Sequence, residues 1–181
     1  MSKPIPEKIQ LRELAEEDWK SVHAYASLEI VSRHQAWGPN SEEDSRAYVR
    51  EVLEEAKAVP RTRFVFAIAL PEEKMVGAIE LSIRDQTNRV GEIGYILHPD
   101  YWGQGIAAKA AKQVLQFAFS DKGLHRVYAT CDPRNLASCR VLEKIDMLRE
   151  GQLRESIWLR DGWRDSLVYS ILEQKWREAR K

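Results

Sequence analysis

The sequence of residues 90–119, VGEIGYILHPDYWGQGIAAKAAKQVLQFAF, predicts a strand, a loop, a glycine turn and a helix. Residues 90–97 are apolar and β-branched enough for a strand through a core, and Pro99 ends that strand. Gly103 and Gly105 then open a helix whose inward face carries Ile106, Ala110, Val114 and Phe117. The backbone N–H groups at the start of a helix lack intrahelical partners, so this turn is predicted to bind a phosphate or pyrophosphate.

The composition predicts one globular domain over residues 1–181. Its apolar and charged fractions, 44% and 31%, are ordinary for such a domain. Lys plus Arg and Asp plus Glu both number 28, so no field of one sign would attract nucleic acid or an anionic membrane. No apolar run approaches the ~20 residues of a membrane span, and the N-terminus lacks the apolar core of a signal peptide. A cytoplasmic location is therefore expected.

The cysteine and histidine patterns predict neither a disulfide framework nor a metal site. Cys131 and Cys139 have no CxxC spacing and no further cysteines to pair with. The histidines His23, His98 and His125 show no ligand spacing. We expect both cysteines to be reduced, partly buried residues.

Periodicity predicts the elements on either side of the central stretch. Upstream, the pattern predicts a strand over residues 9–14, a helix over residues 16–30 and a second helix from Ser41 to Pro60. A hairpin follows, with strands over residues 64–70 and 75–83 joined by a turn at residues 71–74. Downstream are a strand over 125–131 parallel to 90–97, an Asn135-capped helix through Lys144, and a hairpin of strands 152–160 and 163–172 across a type I′ turn at Asp161 and Gly162. The predicted fold is α/β with a mixed sheet.

The glycine turn has two interpretations. Gly103, Gly105 and Ala108 satisfy a relaxed dinucleotide fingerprint, and Asp132 ends the next strand as a ribose-binding acid would. However, residues 98–102 separate the strand from the first glycine, and too little chain follows Cys131 to complete a doubly wound sheet. The second interpretation is a cradle for the pyrophosphate of coenzyme A.

The order of these elements resembles the GNAT superfamily of N-acetyltransferases. More narrowly, it resembles the branch of ribosomal-protein serine/alanine N-terminal acetyltransferases. The resemblance covers almost the whole chain and is carried by LREL then EEDW near the start, Trp37-Gly38-Pro39, EIGYILHPDYWGQGIAAKA, HRVYATCDPRNLASCRVLEK and Trp163-Arg164-Asp165.

The resemblance implies a GNAT fold with a mixed, mostly antiparallel sheet and a splayed central pair of parallel strands. It implies direct transfer of the acetyl group of acetyl-CoA to a primary amine, either a protein N-terminus or a small-molecule amine, without a metal. Dimers are common in the superfamily, so a homodimer is left open. Gly91 and Gly94 within the central strand separately indicate a bulge or a close backbone approach.

The resemblance also implies which residues bind acetyl-CoA. Trp102 occupies the position of the superfamily's signature Arg or Gln, and backbone amides of the turn are expected to do the binding. The implied set is Tyr95, Ile96, Leu97, Trp102, Gly103, Gln104, Gly105, Ile106, Ala107, Ala108, Asn135 and Ser138.

Catalytic roles follow from the same resemblance. Glu92 is implied as the base that takes a proton from the amine through water, although an ion-paired glutamate on a half-exposed strand would fit the same pattern. The superfamily's leaving-group tyrosine is Leu142 here, so Ser138 is implied as the acid on the thiolate side. Glu155 is an alternative base of lower weight.

Three further positions bear on these expectations. His34 and Trp37 lie where the superfamily builds its acceptor pocket, although an ordinary loop histidine and a packed tryptophan fit as well. Asp146 replaces a glycine after the Asn135-capped helix, which costs up to roughly 1 kcal/mol if Asp146 has to be left-handed. The absence of the tyrosine keeps a non-catalytic acyl-CoA-binding domain as an alternative function.

Overall fold

The computed structural model describes residues 8–71 and 75–179. Seven strands form one sheet in the order β1-β2-β3-β4-β5-β7-β6. The strands are β1 Gln10–Glu13, β2 Arg63–Ala69, β3 Met75–Asp85, β4 Val90–Leu97, β5 Arg126–Cys131, β6 Leu148–Leu159 and β7 Gly162–Leu172. The α-helices are α1 Trp19–Ala26, α2 Glu29–Ser32, α3 Glu42–Glu55, α4 Ile106–Gln116, α5 Leu136–Lys144 and α6 Glu173–Glu178.

The pairing of β4 with β5 confirms the expected splayed, mixed sheet. The two strands are parallel and pair only at Val90, Gly91 and Glu92, opposite Arg126, Val127 and Tyr128. The other neighbouring strands are antiparallel. Beyond Glu92, β4 continues along β3 while β5 continues along β7, so a fork opens in the middle of the sheet.

Helices cover both faces of the sheet because each strand alternates its side chains between them. On one face, α4 buries Ile106, Ala110 and Val114 against strand residues that include Ile79 and Ile93. On the other face, α1 and α3 bury side chains such as Val22 and Val49 against Val65 and Ala78. The fork is thereby enclosed between helices on either side of the sheet.

The glycines of β4 have two different roles. A β carbon at Gly91 would lie 2.6 Å from Leu124 Cδ1 and 3.0 Å from Leu81 Cδ1, so a side chain here would displace these buried leucines; the close approach is by side chains and not by backbone. At Gly94 the nearest atom to a β carbon would be Glu80 Cγ at 3.9 Å, which leaves open space. The register irregularity of this pair of strands lies between Ile83 and Asp85 of β3 and not at either glycine.

Two local predictions were wrong. The helix predicted over residues 16–30 is a 3₁₀ turn, then α1, then α2, with Leu28 extended between the two helices. The break allows Ala26 O to accept a hydrogen bond from Asn40 N at 2.9 Å, a contact that local periodicity does not encode.

The β6–β7 turn was also placed one residue too late. Leu159 pairs with Gly162, so Arg160 and Asp161 form the turn. Within residues 8–71 and 75–179, the non-glycine residues with positive φ are Arg89, Asp146 and Glu155, so the turn is not type I′. The predicted 71–74 turn lies largely outside the described residues.

Candidate active site

The fork opens into a groove of about 550 Å³ between β4, the glycine turn, α2 and α5, here called the fork groove. Of the twelve residues expected to bind acetyl-CoA, eleven line it: Tyr95, Ile96, Leu97, Trp102, Gly103, Gly105, Ile106, Ala107, Ala108, Asn135 and Ser138. Gln104 is not brought to the groove. Its amide Nε2 instead donates to Asp100 O at 2.9 Å and braces the loop.

The glycine turn leaves its backbone amides uncovered. Gly103 and Gly105 both have φ +73°, a conformation that favours glycine. Among the described residues, a β carbon at Gly103 would meet no atom within 4 Å, and one at Gly105 would meet Lys144 Nζ alone, at 3.8 Å. Gly105 is the N-cap of α4 and supplies no side-chain cap to the first-turn N–H groups. These amides are therefore free to bind an anion at the groove wall.

Three cationic side chains in the fork groove were missed from the sequence. Arg33 lies between α2 and the following loop, and Arg140 and Lys144 lie four residues apart on α5. The four-residue spacing of Arg140 and Lys144 in the Asn135-capped helix could have indicated that these two cations lie together, because residues i and i+4 share a face of a helix. Their positive charge and the N-terminus of α4 make this end of the groove suited to phosphate groups.

Ser138 is tied to both neighbouring elements. Its backbone N–H donates to Asn135 Oδ1 at 3.1 Å, which confirms Asn135 as the N-cap of α5. Tyr95 Oη donates to Ser138 O at 3.1 Å and lies 3.0 Å from Ser138 Oγ. Burial raises the pKa of Tyr95 well above its ordinary value, so this residue is a neutral hydroxyl. The contacts join β4 to α5 across the groove.

A second cavity, of about 820 Å³, lies on the other side of the fork between α1, α3 and the loop after α2, and is called the α1–α3 cavity here. Within the described ranges, three lining residues are common to this cavity and the fork groove: Gln35, Tyr95 and Ile96. The two cavities therefore meet at β4.

The α1–α3 cavity is rich in carboxylates. Asp44, Glu51 and Glu80 line it, together with the single cation Arg63 among the described lining residues. Arg63 NH1 donates to Glu51 at 3.0 Å and Arg63 NH2 donates to Glu80 at 3.0 Å. Trp37 also lines this cavity.

Glu92 is the last β4 residue that pairs with β5 before the fork. Its Oε2 accepts from Arg84 Nε at 2.7 Å and from Tyr128 Oη at 3.3 Å. It lines neither cavity, but alternation along β4 puts its side chain on the face of Gly94, which lines the α1–α3 cavity. The side chain is 23% exposed and open to water.

The superfamily's tyrosine position, Leu142, and the alternative base, Glu155, both lie away from the two cavities. Leu142 is buried in the core of the sheet and α4. Glu155 has φ +47° in an irregular part of β6, where its backbone N–H donates to Asp165 Oδ1 at 2.8 Å. Neither lines the fork groove or the α1–α3 cavity.

His34 lies in the fork groove, not in the α1–α3 cavity. Its Nδ1 is 3.0 Å from Oδ2 of Asp132, whose side chain is fully buried at the end of β5. Burial alone would raise the pKa of Asp132, but hydrogen bonds from Arg134 and His34 outweigh it and lower that pKa to about 2. Arg164 NH1 on β7 donates to His34 O at 3.1 Å. Pattern analysis could not find this cluster, because its members are far apart in sequence.

Cys131 and Cys139 are both free and buried, with their sulfur atoms 3.5 Å apart. Burial raises the pKa of Cys131 to about 12, so this thiol is a poor nucleophile. In the part of the chain that the structure describes, no group of three His, Cys, Asp or Glu side chains could hold a metal ion. No helix within the described ranges is long and apolar enough to cross a membrane.

Comparisons with known proteins agree with this geometry. A family model described as an acetyltransferase (GNAT) domain matches residues 8–148. The uncharacterized N-acetyltransferase YnaD of Bacillus subtilis is 33% identical over 170 residues, covering 93% of this chain and 96% of YnaD. The putative ribosomal N-acetyltransferase YdaF of the same organism is 33% identical over 107 residues, covering 59% of this chain and 58% of YdaF.

A solved structure shows the same fold. The crystal structure of a GNAT-family acetyltransferase from Bacillus anthracis superposes with a TM-score of 0.82 at 34% identity, covering 93% of this chain and 97% of the other. These matches confirm the resemblance drawn from the sequence and exclude the dinucleotide-dependent oxidoreductase. The chain belongs to the GNAT family of acetyl-CoA-dependent N-acetyltransferases.

Proposed function

We propose that the protein binds acetyl-CoA in the fork groove and transfers its acetyl group directly to a primary amine held in the α1–α3 cavity. The observation that carries this proposal is the meeting of the two cavities at Tyr95 and Ile96. A donor in one cavity and an acceptor in the other could then react at β4 without a covalent enzyme intermediate, because proximity alone supplies much of the catalysis.

The anionic end of acetyl-CoA fits the glycine-turn end of the groove. Backbone N–H groups over Gly103 and Gly105, with Arg140 and Lys144 beside them, would hold the phosphates. Residues 95–97 of β4 pair with β3 on one side only, so their backbone groups toward the fork are available to the amides of the pantetheine arm.

The charge of the α1–α3 cavity indicates the class of acceptor. Three carboxylates, from Asp44, Glu51 and Glu80, and one guanidinium line a cavity that also contains Trp37 and other aromatic residues. The guanidinium of Arg63 pairs with Glu51 and Glu80, which leaves an excess of negative charge. This surface favours a cationic molecule by charge complementarity and by cation–π contact. We therefore propose an amine that carries positive charge besides the one lost at the reacting nitrogen.

Glu92 and Ser138 are the proposed catalytic residues. An ammonium must lose a proton before it can attack, and Glu92 would accept that proton through water because its side chain faces the α1–α3 side of β4. Ser138 Oγ, held by Tyr95 in the groove, would donate a hydrogen bond to the departing sulfur.

The test is calorimetric titration with acetyl-CoA of the wild type and of two glycine variants. Gly105→Glu puts a side chain and a negative charge over the turn, and we expect binding to weaken about 100-fold or more. Gly123→Glu is the matched control, because Gly123 also has positive φ, +61°, in open space, and it lines neither cavity. This control should bind as the wild type does.

Turnover is then measured as thiol release with a panel of amines, from neutral to multiply cationic. The expected result is faster turnover with the cationic members. A wild type that binds acetyl-CoA tightly but releases no thiol with any amine would favour the non-catalytic alternative. Equal binding by Gly105→Glu and the wild type would contradict the position proposed for acetyl-CoA.

A further inference from the structure

The proposed transfer leaves the proton donor for the departing thiolate incompletely explained. A general acid is efficient when it gains and loses its proton near the working pH, which a serine hydroxyl such as that of Ser138 does not do. Leu142, at the superfamily's tyrosine position, is a buried aliphatic side chain. A titratable group in the fork groove itself would complete the site.

His34 is such a group. An imidazole can donate a proton from one ring nitrogen and accept one at the other, and His34 lines the same groove as Ser138 and Tyr95. Its Nδ1 bonds to the buried carboxylate of Asp132, 98 positions away in sequence. Among the described residues Nε2 has no hydrogen-bond partner, and it lies across the ring from Nδ1. The side chain is 21% exposed and can exchange protons with solvent.

Hydrogen bonds from other parts of the chain hold His34 and its partner Asp132 in place. Asp132 is itself fixed by Arg134, whose NH2 donates to Asp132 Oδ2 at 2.8 Å and whose NH1 donates to Asp161 at 2.8 Å. Arg164 binds the carbonyl of His34 from β7. The imidazole is thus fixed by Asp132, and the backbone of the same residue is fixed by Arg164. A carboxylate on Nδ1 keeps the proton there and leaves Nε2 for chemistry.

We propose that His34 is the general acid that protonates the departing thiolate, with Asp132 as the positioning residue that fixes its tautomer and orientation. This inference rests on the proposed acetyl transfer in the fork groove. It assigns His34 a role on the thiol side, whereas Glu92 acts on the amine side of the same strand.

The proton and electron balance is complete without another reagent. The amine nitrogen forms a bond to the acetyl carbon and loses its protons to Glu92 and water. The carbon–sulfur bond breaks with its electron pair going to sulfur. Protonated His34 gives the proton on Nε2 to that sulfur, and neutral His34 then takes a proton from solvent.

The experiment compares His34→Asn with wild type in the pH dependence of kcat and in acetyl-CoA binding. An asparagine amide can still donate a hydrogen bond to Asp132, but it has no titrating nitrogen. We expect kcat to fall about 100-fold and the basic limb of its pH profile to disappear, while the Kd for acetyl-CoA stays within about threefold. His125→Asn is the matched control, an exposed histidine that lines neither cavity, and should match the wild type.

Two further variants separate the roles. Glu92→Gln should change the acidic limb of the pH profile of kcat and leave its basic limb. Asp132→Asn should lower kcat at least about tenfold and change the tautomer of His34, which ¹⁵N NMR of the imidazole ring reports. NMR titration of wild-type His34 with CoA should also shift its ring signals.

The outcomes distinguish this inference from the function on which it rests. An unchanged kcat in His34→Asn, or a loss confined to acetyl-CoA binding, would mean that His34 only packs in the groove and would overturn the inference. A wild type inactive with every amine would instead count against the proposed function. Ring signals of His34 that do not respond to CoA would overturn the inference even then.

Discussion

The carboxylate of Asp132 connects the stability of the protein to pH. The pKa of this fully buried group is held at about 2, below its ordinary value of 3.8. A group whose pKa is lowered by folding stabilises the folded state above its unfolded pKa, and that contribution is lost as pH falls toward the folded pKa. The window for Asp132 is therefore about pH 4 down to about pH 2.

Urea unfolding of wild type and Asp132→Asn across that window tests this role. We expect the difference in free energy of unfolding between the two proteins to shrink by about 2 kcal/mol as pH falls from about 4 to about 2. Asp161→Asn is the control, because it removes the exposed partner of the same Arg134 and should show a smaller pH-dependent difference. If the difference in free energy of unfolding between the wild type and Asp132→Asn did not vary with pH, this role of Asp132 would be contradicted.

Single residues also show which features of the site the sequence could predict. A conformational cost was expected at Asp146 only if its backbone adopted the left-handed conformation, and its φ of +64° lies in that region. Tyr95, Asn135 and Ser138 were assigned to one groove by resemblance and do line it. Lys144 was not assigned, because its proximity to Gly105 depends on how α5 packs beside α4.

At the scale of elements, the start of α5 combines a structural and a binding role in Asn135. The side chain caps the helix and also lines the fork groove. Asn135→Ala should lower the free energy of unfolding by about 1 kcal/mol, because an orphan N–H loses its acceptor. Asn135→Ser keeps an oxygen that can cap, so it should recover most of that loss.

Thermal unfolding and acetyl-CoA titration of both variants separate the two roles. If Asn135 also contacts the donor, Asn135→Ser should be nearly as stable as the wild type yet bind acetyl-CoA more weakly. Equal stability of Asn135→Ala and the wild type would show that the cap contributes little here.

The elements predicted well are those whose own periodicity fixes them. β4, α4 and the capped start of α5 agree with the sequence pattern because strand alternation, glycine punctuation and capping are local signals. The break between α1 and α2 is accompanied by a hydrogen bond from Asn40 to Ala26, and the pairing of His34 with Asp132 joins residues 98 positions apart. Such contacts exist only after the chain has folded, so local patterns could not give them.

At the scale of the whole molecule, the arrangement of the cavities predicts the kinetic order. Among the residues that the structure describes, the fork groove and the α1–α3 cavity share Gln35, Tyr95 and Ile96, so both proposed substrates would be bound together at β4. Initial rates measured at varied acetyl-CoA and amine concentrations should give intersecting double-reciprocal lines, because the proposed direct transfer requires a ternary complex.

A covalent intermediate would give a different result. Parallel lines, together with an acetylated protein detected by mass spectrometry, would contradict direct transfer. Cys131 and Cys139 are buried and line neither cavity, so neither cysteine is placed to carry the acetyl group. The wild type incubated with acetyl-CoA alone should therefore keep its unmodified mass.

The narrow junction between the cavities also has an evolutionary consequence. Charged residues of the α1–α3 cavity come from α3, β2 and β3, whereas the glycine turn and α5 form the opposite half of the site. If the two halves bind the amine and acetyl-CoA as proposed, substitutions at Asp44, Glu51 or Glu80 after duplication of the gene would redirect one copy to a new amine and leave the half proposed for acetyl-CoA unaltered. A fold divided in this way can diversify one substrate at a time.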